Sequence, residues 1–280
     1  MNPFEIDAKK IRQFIRFLRE RGASAGTMEK YQRDLRRFAA WLDGTPASRE
    51  AAVRWRESLL AEGCRPATVN SMLAAVNAFF RCMGWNIHAE FLRVQKKTFC
   101  DPRRELTKQD YRRLLETAER CRKERLFLLL ETVCATGIRV GEVRYITVEA
   151  AKAGKAEISL KGKTRTILLP GKLCRKLLGY ARKHKTASGE IFLTRSGKSI
   201  SRKQIWAEMK ALCRKAGVEP GKVFPHNLRH LFARTFYQTC RDVVKLSDVL
   251  GHSSIETTRI YLISSGTEHM RLLERMRMTL

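Results

Sequence analysis

Apolar residues recur along most of this chain at the three- and four-residue spacing of a helix surface. That period restricts the fold to architectures built mainly from amphipathic helices. Ile11, Phe14, Ile15 and Leu18 form the first stripe. The Arg-Gly-Ala-Ser run ending at Ser24 interrupts it, and Ser24 or Thr27 is placed to cap a second helix carrying Met28, Tyr31, Leu35, Phe38 and Leu42. A third helix is expected over Arg49 to Ala61, with Trp55 and Leu59 on one face. Gly63 ends it. Pro66 then opens a fourth, where a missing N–H costs nothing, and Val69, Leu73, Val76 and Phe80 supply its apolar face. Four short helices of this kind make a bundle. Lys30, Arg33, Arg36, Arg37, Arg54 and Arg56 fall on its outer faces. Singly each reads as a solvated side chain; together they suit a surface that contacts phosphates.

The pattern breaks near residue 100. Asp101-Pro102 disfavours continued helix, and Thr107 caps a new one with Asp110 three residues on. This places one domain at 1–98, a linker at 99–105 and a second domain at 106–280. The second begins with a strongly apolar helical run, Leu126 to Ile138, which Glu131 interrupts and which is too short to span a bilayer. No secretory leader is evident, since Met1 to Lys10 carries charges where an apolar stretch would be needed. A soluble, cytoplasmic protein without membrane partners is the expectation.

Charge narrows the partners. There are 56 Lys and Arg against 28 Asp and Glu, a formal net of +28. The first 98 residues hold 18 basic and 10 acidic side chains and the remainder 38 and 18, so the excess is not confined to a tail. A field of this sign attracts polyanions. Taken alone it describes a protein that binds nucleic acid without cutting it. The eight cysteines show neither CxxC spacing nor a histidine three or four residues away, so they read as reduced thiols rather than metal ligands.

Four segments carry further information. Gly137 closes the apolar helix, and Arg139 starts the next, three residues before Glu142. An Arg139–Glu142 ion pair explains that arginine as well as a functional role does. Glu157 to Leu160 and Thr164 to Leu169 form a hairpin around Lys161-Gly162-Lys163, with Ile191 to Leu193 as a candidate third strand. After a helix over Gln204 to Ala216, Pro225 begins another, with His226 and Arg229 one turn apart on one face and a helix N-terminus suited to an anion close by. His230 is expected to point elsewhere. Gly251 ends a helix, Ser253 or Ser254 caps its successor, and that successor leads to Tyr261.

In this order and spacing, Thr136-Gly-Ile-Arg-Val-Gly-Glu142, Lys161-Gly-Lys-Thr-Arg-Thr166, His226-Asn-Leu-Arg-His230 and Leu250-Gly-His-Ser-Ser-Ile-Glu-Thr-Thr-Arg-Ile-Tyr261 resemble the tyrosine recombinase (phage integrase) family, nearest its small Xer-like members. Thr27, Tyr31, Asp34, Leu35 and Phe38 extend the resemblance to that family's core-binding domain. The fold it implies is mainly α: an all-α core-binding bundle (SAM-like) plus a mixed α+β catalytic domain with a small antiparallel sheet.

The resemblance also implies roles. Arg139 and Arg229 clamp the scissile phosphate, His226 bonds it and accepts the tyrosine proton, and His252 adds a bond. Lys161 protonates the leaving 5′-oxygen, Tyr261 is the nucleophile and Glu142 supports the site. Lys163 and Arg165 lie in the same hairpin, which leaves the assignment of the acid less settled, and Leu231 stands where the family commonly has a small polar residue. A phenol of pKa near 10 needs a base or cationic surroundings to attack at neutral pH, and fixed guanidinium forks stabilise a pentavalent phosphate. No cofactor, metal ion or ATP is implied. The implied partners are double-stranded DNA with paired recombination sites and a homotetramer assembled on it, with accessory proteins admitted. Met270, Leu273, Met276 and Leu280 make a terminal stripe for exchange between subunits. The competing expectations are a type IB topoisomerase-like relaxing enzyme and a DNA-binding protein that does not cut.

Overall fold

A computed structural model describes residues 4–94, 104–160, 163–252 and 254–261, together with 270 and 274–276. The chain divides into two compact units, Met1–Lys96 and Lys97–Leu280.

The first unit is a bundle of α1 (Ala8–Glu20), α2 (Ala25–Leu42), α3 (Arg49–Ala61) and α4 (Pro66–Cys82). Side chains of Asp7, Ser24 and Ser48 accept the otherwise orphaned N–H groups of Lys10, Thr27 and Ala51, so Ser24 rather than Thr27 caps α2. Phe14, Phe38, Trp55, Leu73, Phe79 and Phe80 are fully buried at the centre. The Phe38 and Trp55 rings lie 4.7 Å apart. Burial of each such ring contributes roughly 1.5–3 kcal/mol. Asn77 fastens the segment after α4 by accepting from the Ala89 N–H at 2.8 Å and donating to its carbonyl at 2.9 Å. Of the basic residues expected on the outer faces, Lys30 and Arg56 are half-buried rather than exposed. Lys30 pairs with the buried Asp34 at 2.5 Å, and Arg56 donates to the Glu90 carbonyl.

The second unit is assembled around α6 (Glu124–Thr136), which packs against α5 (Lys108–Arg120), α8 (Gly171–Lys183), α9 (Arg202–Ala216) and α10 (Pro225–Cys240). Leu126, Leu128, Leu129, Leu130 and Val133 of α6 are buried, which explains why its sequence is apolar on nearly every side. Thr107 and Asp110 form a reciprocal cap on α5. A 3-10 helix over Val140–Tyr145 and the short α7 (Val148–Ala153) lead into a hairpin of β1 (Lys155–Leu160) and β2 (Lys163–Leu168), in the register Ile158↔Arg165 and Ala156↔Ile167. Helices α11 (Val243–Leu250) and α12 (Ile255–Arg259) follow α10.

Three features depart from expectation. Ile191 to Leu193 adds no third strand among the described residues. Ile191 and Phe192 are buried in the helical core, and only single bridges, Thr147↔Glu190 and Leu193↔Ser199, flank them. The β propensity of that stretch is satisfied by core packing. Ser254 occupies the N-cap position of α12 yet makes no side-chain bond there, and Ser253 lies outside the described residues. Helix α8 was not anticipated, although Leu173, Leu177, Tyr180 and Ala181 carry a helical period and are buried. Among the described residues no helix is long and apolar enough to cross a membrane. Seven cysteines are free thiols; Cys100 lies outside the described residues.

Candidate active site

The site is built where three helix ends of the second unit meet. Helix α6 stops at Gly137, whose φ of +63° is costly for any residue with a side chain. A Cβ there would also strike the Phe232 ring of α10. The turn delivers Arg139 in extended conformation at the head of the 3-10 helix.

Buried Glu142 organises this corner. One carboxylate oxygen accepts the Arg139 backbone N–H at 3.0 Å, and the other accepts its guanidinium at 3.2 Å. Arg165 reaches in from β2 to donate to the same carboxylate and to the Leu250 carbonyl. The ion pair expected for Arg139 is therefore present. It nonetheless leaves the Arg139 side chain 44% exposed, so the pair orients the guanidinium without consuming it.

Arg229 sits deeper, only 2% exposed. It donates to the carbonyl of Gly137, at the end of α6, and to that of Leu250, at the end of α11, the second at 2.8 Å. Helix C-termini present unpaired carbonyls and partial negative charge, which is how this fold accommodates a buried cation. The arrangement remains costly. Burial first, then the nearby Arg139 and Arg165 charges, pull the Arg229 pKa down to about 10, against support from the Tyr261 phenol. Burial likewise lowers the pKa of Arg165.

Pro225 fixes the first turn of α10, and His226, Arg229 and His230 follow at positions i, i+3 and i+4. Such positions share one helix face. Accordingly His230 does not point elsewhere, as expected from the sequence, but lies edge-on to His226 with ring centroids 4.5 Å apart.

Gly251, with φ +61°, ends α11 and turns the chain so that His252 faces Arg229 at 3.0 Å from its Nε2. A Cβ at Gly251 would collide with the Arg165 side chain. Because arginine only donates, His252 Nε2 must accept, and Nδ1 then donates to Thr258 Oγ1 at 2.8 Å. His252 is thus a neutral imidazole, in keeping with a pKa pushed down to about 4 by burial and by Arg229, Arg139 and Arg165. Burial, Arg229 and Arg139 also lower the pKa of His226.

Tyr261 follows α12 and is 4% exposed. Its ring is enclosed by three imidazoles: His230 at 4.4 Å, His252 at 5.6 Å and nearly parallel, and His226 at 5.8 Å. Five of the six expected site residues, Arg139, His226, Arg229, His252 and Tyr261, are therefore gathered in one place. The sixth, Lys161, lies outside the described residues. Lys163 opens β2, and Arg165 is engaged by Glu142 and the Leu250 carbonyl. Among the described residues no group of three His, Cys, Asp or Glu is placed to hold a metal ion.

Comparison with known proteins accounts for this geometry. The phage integrase family profile matches residues 104–267, and the profile of the phage integrase N-terminal SAM-like domain matches residues 11–86. The chain belongs to the phage integrase family.

Every residue of the cluster from Arg139 to Tyr261 falls inside the phage integrase segment, and the SAM-like match runs from α1 through the end of α4. The tyrosine recombinase XerA of Pyrococcus furiosus is 30% identical over 285 residues, covering 97% of each chain. A tyrosine recombinase XerD of Listeria monocytogenes is 27% identical, covering 90% of this chain and 92% of its own. Among solved structures, the XerH site-specific recombinase bound to its palindromic difH substrate, a post-cleavage complex, superimposes with a TM-score of 0.73 at 19% identity, covering 99% of this chain and 90% of that one. A lambda integrase dimer bound to a COC′ core site gives 0.71 at 17% identity, covering 90% and 94%. At these identities the two structures show a shared phage integrase fold.

Proposed function

We propose that this chain is a site-specific DNA recombinase that breaks and rejoins strands through a 3′-phosphotyrosyl link on Tyr261, in DNA integration and excision or in replicon resolution. The observation that carries this reading is the phenol of Tyr261 enclosed by His226, His230 and His252 and set against the Arg229 guanidinium. A binding protein needs no phenol walled by three imidazoles and set against a buried guanidinium.

In the first step the Tyr261 oxygen attacks the phosphorus. The Tyr261 proton passes to His226, whose pKa is lowered by burial and by the Arg229 and Arg139 charges, which favours the neutral imidazole. The P–O5′ bond breaks, and Lys161 protonates the departing 5′-oxygen. Arg139 and Arg229 stabilise the charge that builds on the phosphoryl oxygens, and in this state His252 orients Arg229. Fixed donors of this kind are each worth about 10²–10³ in rate. Religation reverses the step with a 5′-hydroxyl from another strand. The phosphotyrosyl link conserves bond energy, so no nucleotide is consumed.

The test uses a nicked duplex, selected for binding from a randomised library, that loses its short 5′-hydroxyl strand on cleavage. Wild type should give a protein–DNA adduct that resists denaturant and forms equally in excess chelator, since cations of the chain itself face the phosphate. Absence of an adduct on every selected duplex would overturn the reading.

Lys161 is proposed as the general acid. Lys161→Ala should cleave ordinary DNA slowly and recover on a duplex with sulfur at the bridging 5′ position, a better leaving group. If Lys163→Ala shows that recovery and Lys161→Ala does not, the role belongs to Lys163.

We also propose that four copies assemble on two paired sites through the C-terminal tail. Of its apolar stripe, Met270 and Met276 are exposed, while Leu273 and Leu280 lie outside the described residues. A stripe this short binds weakly alone, so the tetramer should require DNA. Deleting residues 267–280 should spare single-site binding and abolish recombination between two sites. Wild-type recombination by the truncated chain would remove the tail from the mechanism.

A further inference from the structure

The histidine one helical turn beyond His226 has no role in the scheme above, yet its ring lies nearer to Tyr261 than either of the other two imidazoles. We infer that His230 is a positioning residue for the nucleophile: its ring forms the wall that fixes the Tyr261 phenol and the His226 imidazole relative to each other. The inference rests on the assignment of Tyr261 as nucleophile.

Three observations support it. Helical spacing carries His226 and His230 on one face of α10, so a single rigid element sets both rings. The His230 ring meets His226 edge-on, at 85° and 4.5 Å, and meets Tyr261 at 48° and 4.4 Å. The direct His226–Tyr261 separation is 5.8 Å, so His230 fills the angle between them. Finally, His252 lies nearly parallel to the phenol at 17°, and together the two imidazoles limit the tilt of the Tyr261 ring. Edge-to-face and offset contacts at these distances have a preferred geometry, which a flexible aliphatic side chain would not impose.

The ring also has to be uncharged. A protonated His230 would set a second cation against His226 and Arg229, where an anion is to be received. Burial, with His226, Arg234 and Arg229 nearby, pushes its pKa down to about 4, so it is neutral at physiological pH. Arg234, one turn further along α10, is paired with Glu105 and donates to the Leu106 carbonyl. Among the described residues His230 has no hydrogen-bond partner, which fits a role played by its ring faces rather than by proton transfer.

A positioning role predicts a split between the two chemical steps. Before cleavage the phenol is free to rotate and depends on its walls. After cleavage Tyr261 is bonded to DNA and is held by that bond. In single turnover on the nicked duplex, His230→Ala should therefore slow adduct formation by about 10- to 100-fold, the scale expected for a misplaced reacting group. Religation, started by adding a 5′-hydroxyl strand to preformed adduct, should slow clearly less, because the covalent bond already holds Tyr261 and only His226 has lost its wall. His230→Phe, which keeps a flat ring and loses both nitrogens, should restore most of the cleavage rate. Equal slowing of both steps, unchanged cleavage in His230→Ala, or failure of His230→Phe to recover would each overturn the inference, the last by showing that a ring nitrogen is needed. Adduct formation by wild type and its loss in Tyr261→Phe report separately on the site itself. If wild type gave no adduct, both readings would fall together.

Discussion

Tyr261→Phe is expected to bind the selected duplex as wild type does and to form no denaturant-resistant adduct at all. Only one oxygen is removed. The ring stays, and with it the contacts to His226, His230 and His252. Loss of a single interaction with Arg229 costs stability of about 1 kcal/mol, too little to unfold a domain. The DNA-binding field is untouched, because the substitution changes no lysine, arginine, aspartate or glutamate of the net +28. Chemistry, by contrast, has no substitute. No cysteine among the described residues stands in the cluster, and burial raises the pKa of Cys134, the thiol on the same helix as Gly137, to the point of inertness. An adduct of normal yield from the variant, seen as a band of retarded mobility after denaturation, would show that another group attacks and would sink the assignment.

Much of this was legible in the sequence, for reasons that differ between elements. The bundle of the first unit was readable from its apolar stripes and from two helix starts: Ser24 as a candidate cap and Pro66 at a first turn. Helix α6 was readable from its apolar run and the glycine that ends it. Where local signals are weak, the reading failed. Ile191 and Phe192 look like a strand because β-branched and aromatic residues favour one, but their burial is set by helices distant in sequence.

The site shows the same division. Arg139, His226, Arg229, His252 and Tyr261 sit in motifs whose spacing is a property of the chain. Two neighbours that complete the cluster were missed or misplaced, and for both the signal was present. His230 is four residues from His226 on a helix, which makes them face-mates. Arg165 shares the inward face of β2 with the buried Ile167, two residues on, so strand alternation already directed it inward. What no local rule could supply is the destination of those side chains. That Arg165 and Arg229 converge on one carbonyl, Leu250, depends on α10, α11 and the hairpin meeting in space.

Arg229→Met is expected to separate stability from catalysis, and its outcome follows from opposing terms. At neutral pH the guanidinium is charged in the folded and unfolded states alike. The lowering of its pKa to about 10 therefore corresponds to a penalty on the charged folded form, on the order of 3 kcal/mol. That penalty is fully present below the folded value and is relieved only as pH rises between the folded and unfolded values. Replacing the cation with an unbranched apolar side chain removes the penalty and keeps most of the volume. Against this, the Gly137 carbonyl, His252 Nε2 and the Tyr261 phenol lose the bonds they have from Arg229, each worth about 1 kcal/mol. The Leu250 carbonyl keeps Arg165. The two terms nearly cancel, so the denaturation midpoint of Arg229→Met should move little, in line with the general finding that buried charges are replaceable by apolar groups. Cleavage should fall by at least about 10³-fold, since a phosphate-binding guanidinium and the orientation of His252 are lost together. Measuring thermal unfolding and adduct formation on the same preparations checks both halves. A variant that unfolds at much lower temperature would show that Arg229 holds the fold together rather than being tolerated by it. A variant that still cleaves near the wild-type rate would remove Arg229 from the chemistry.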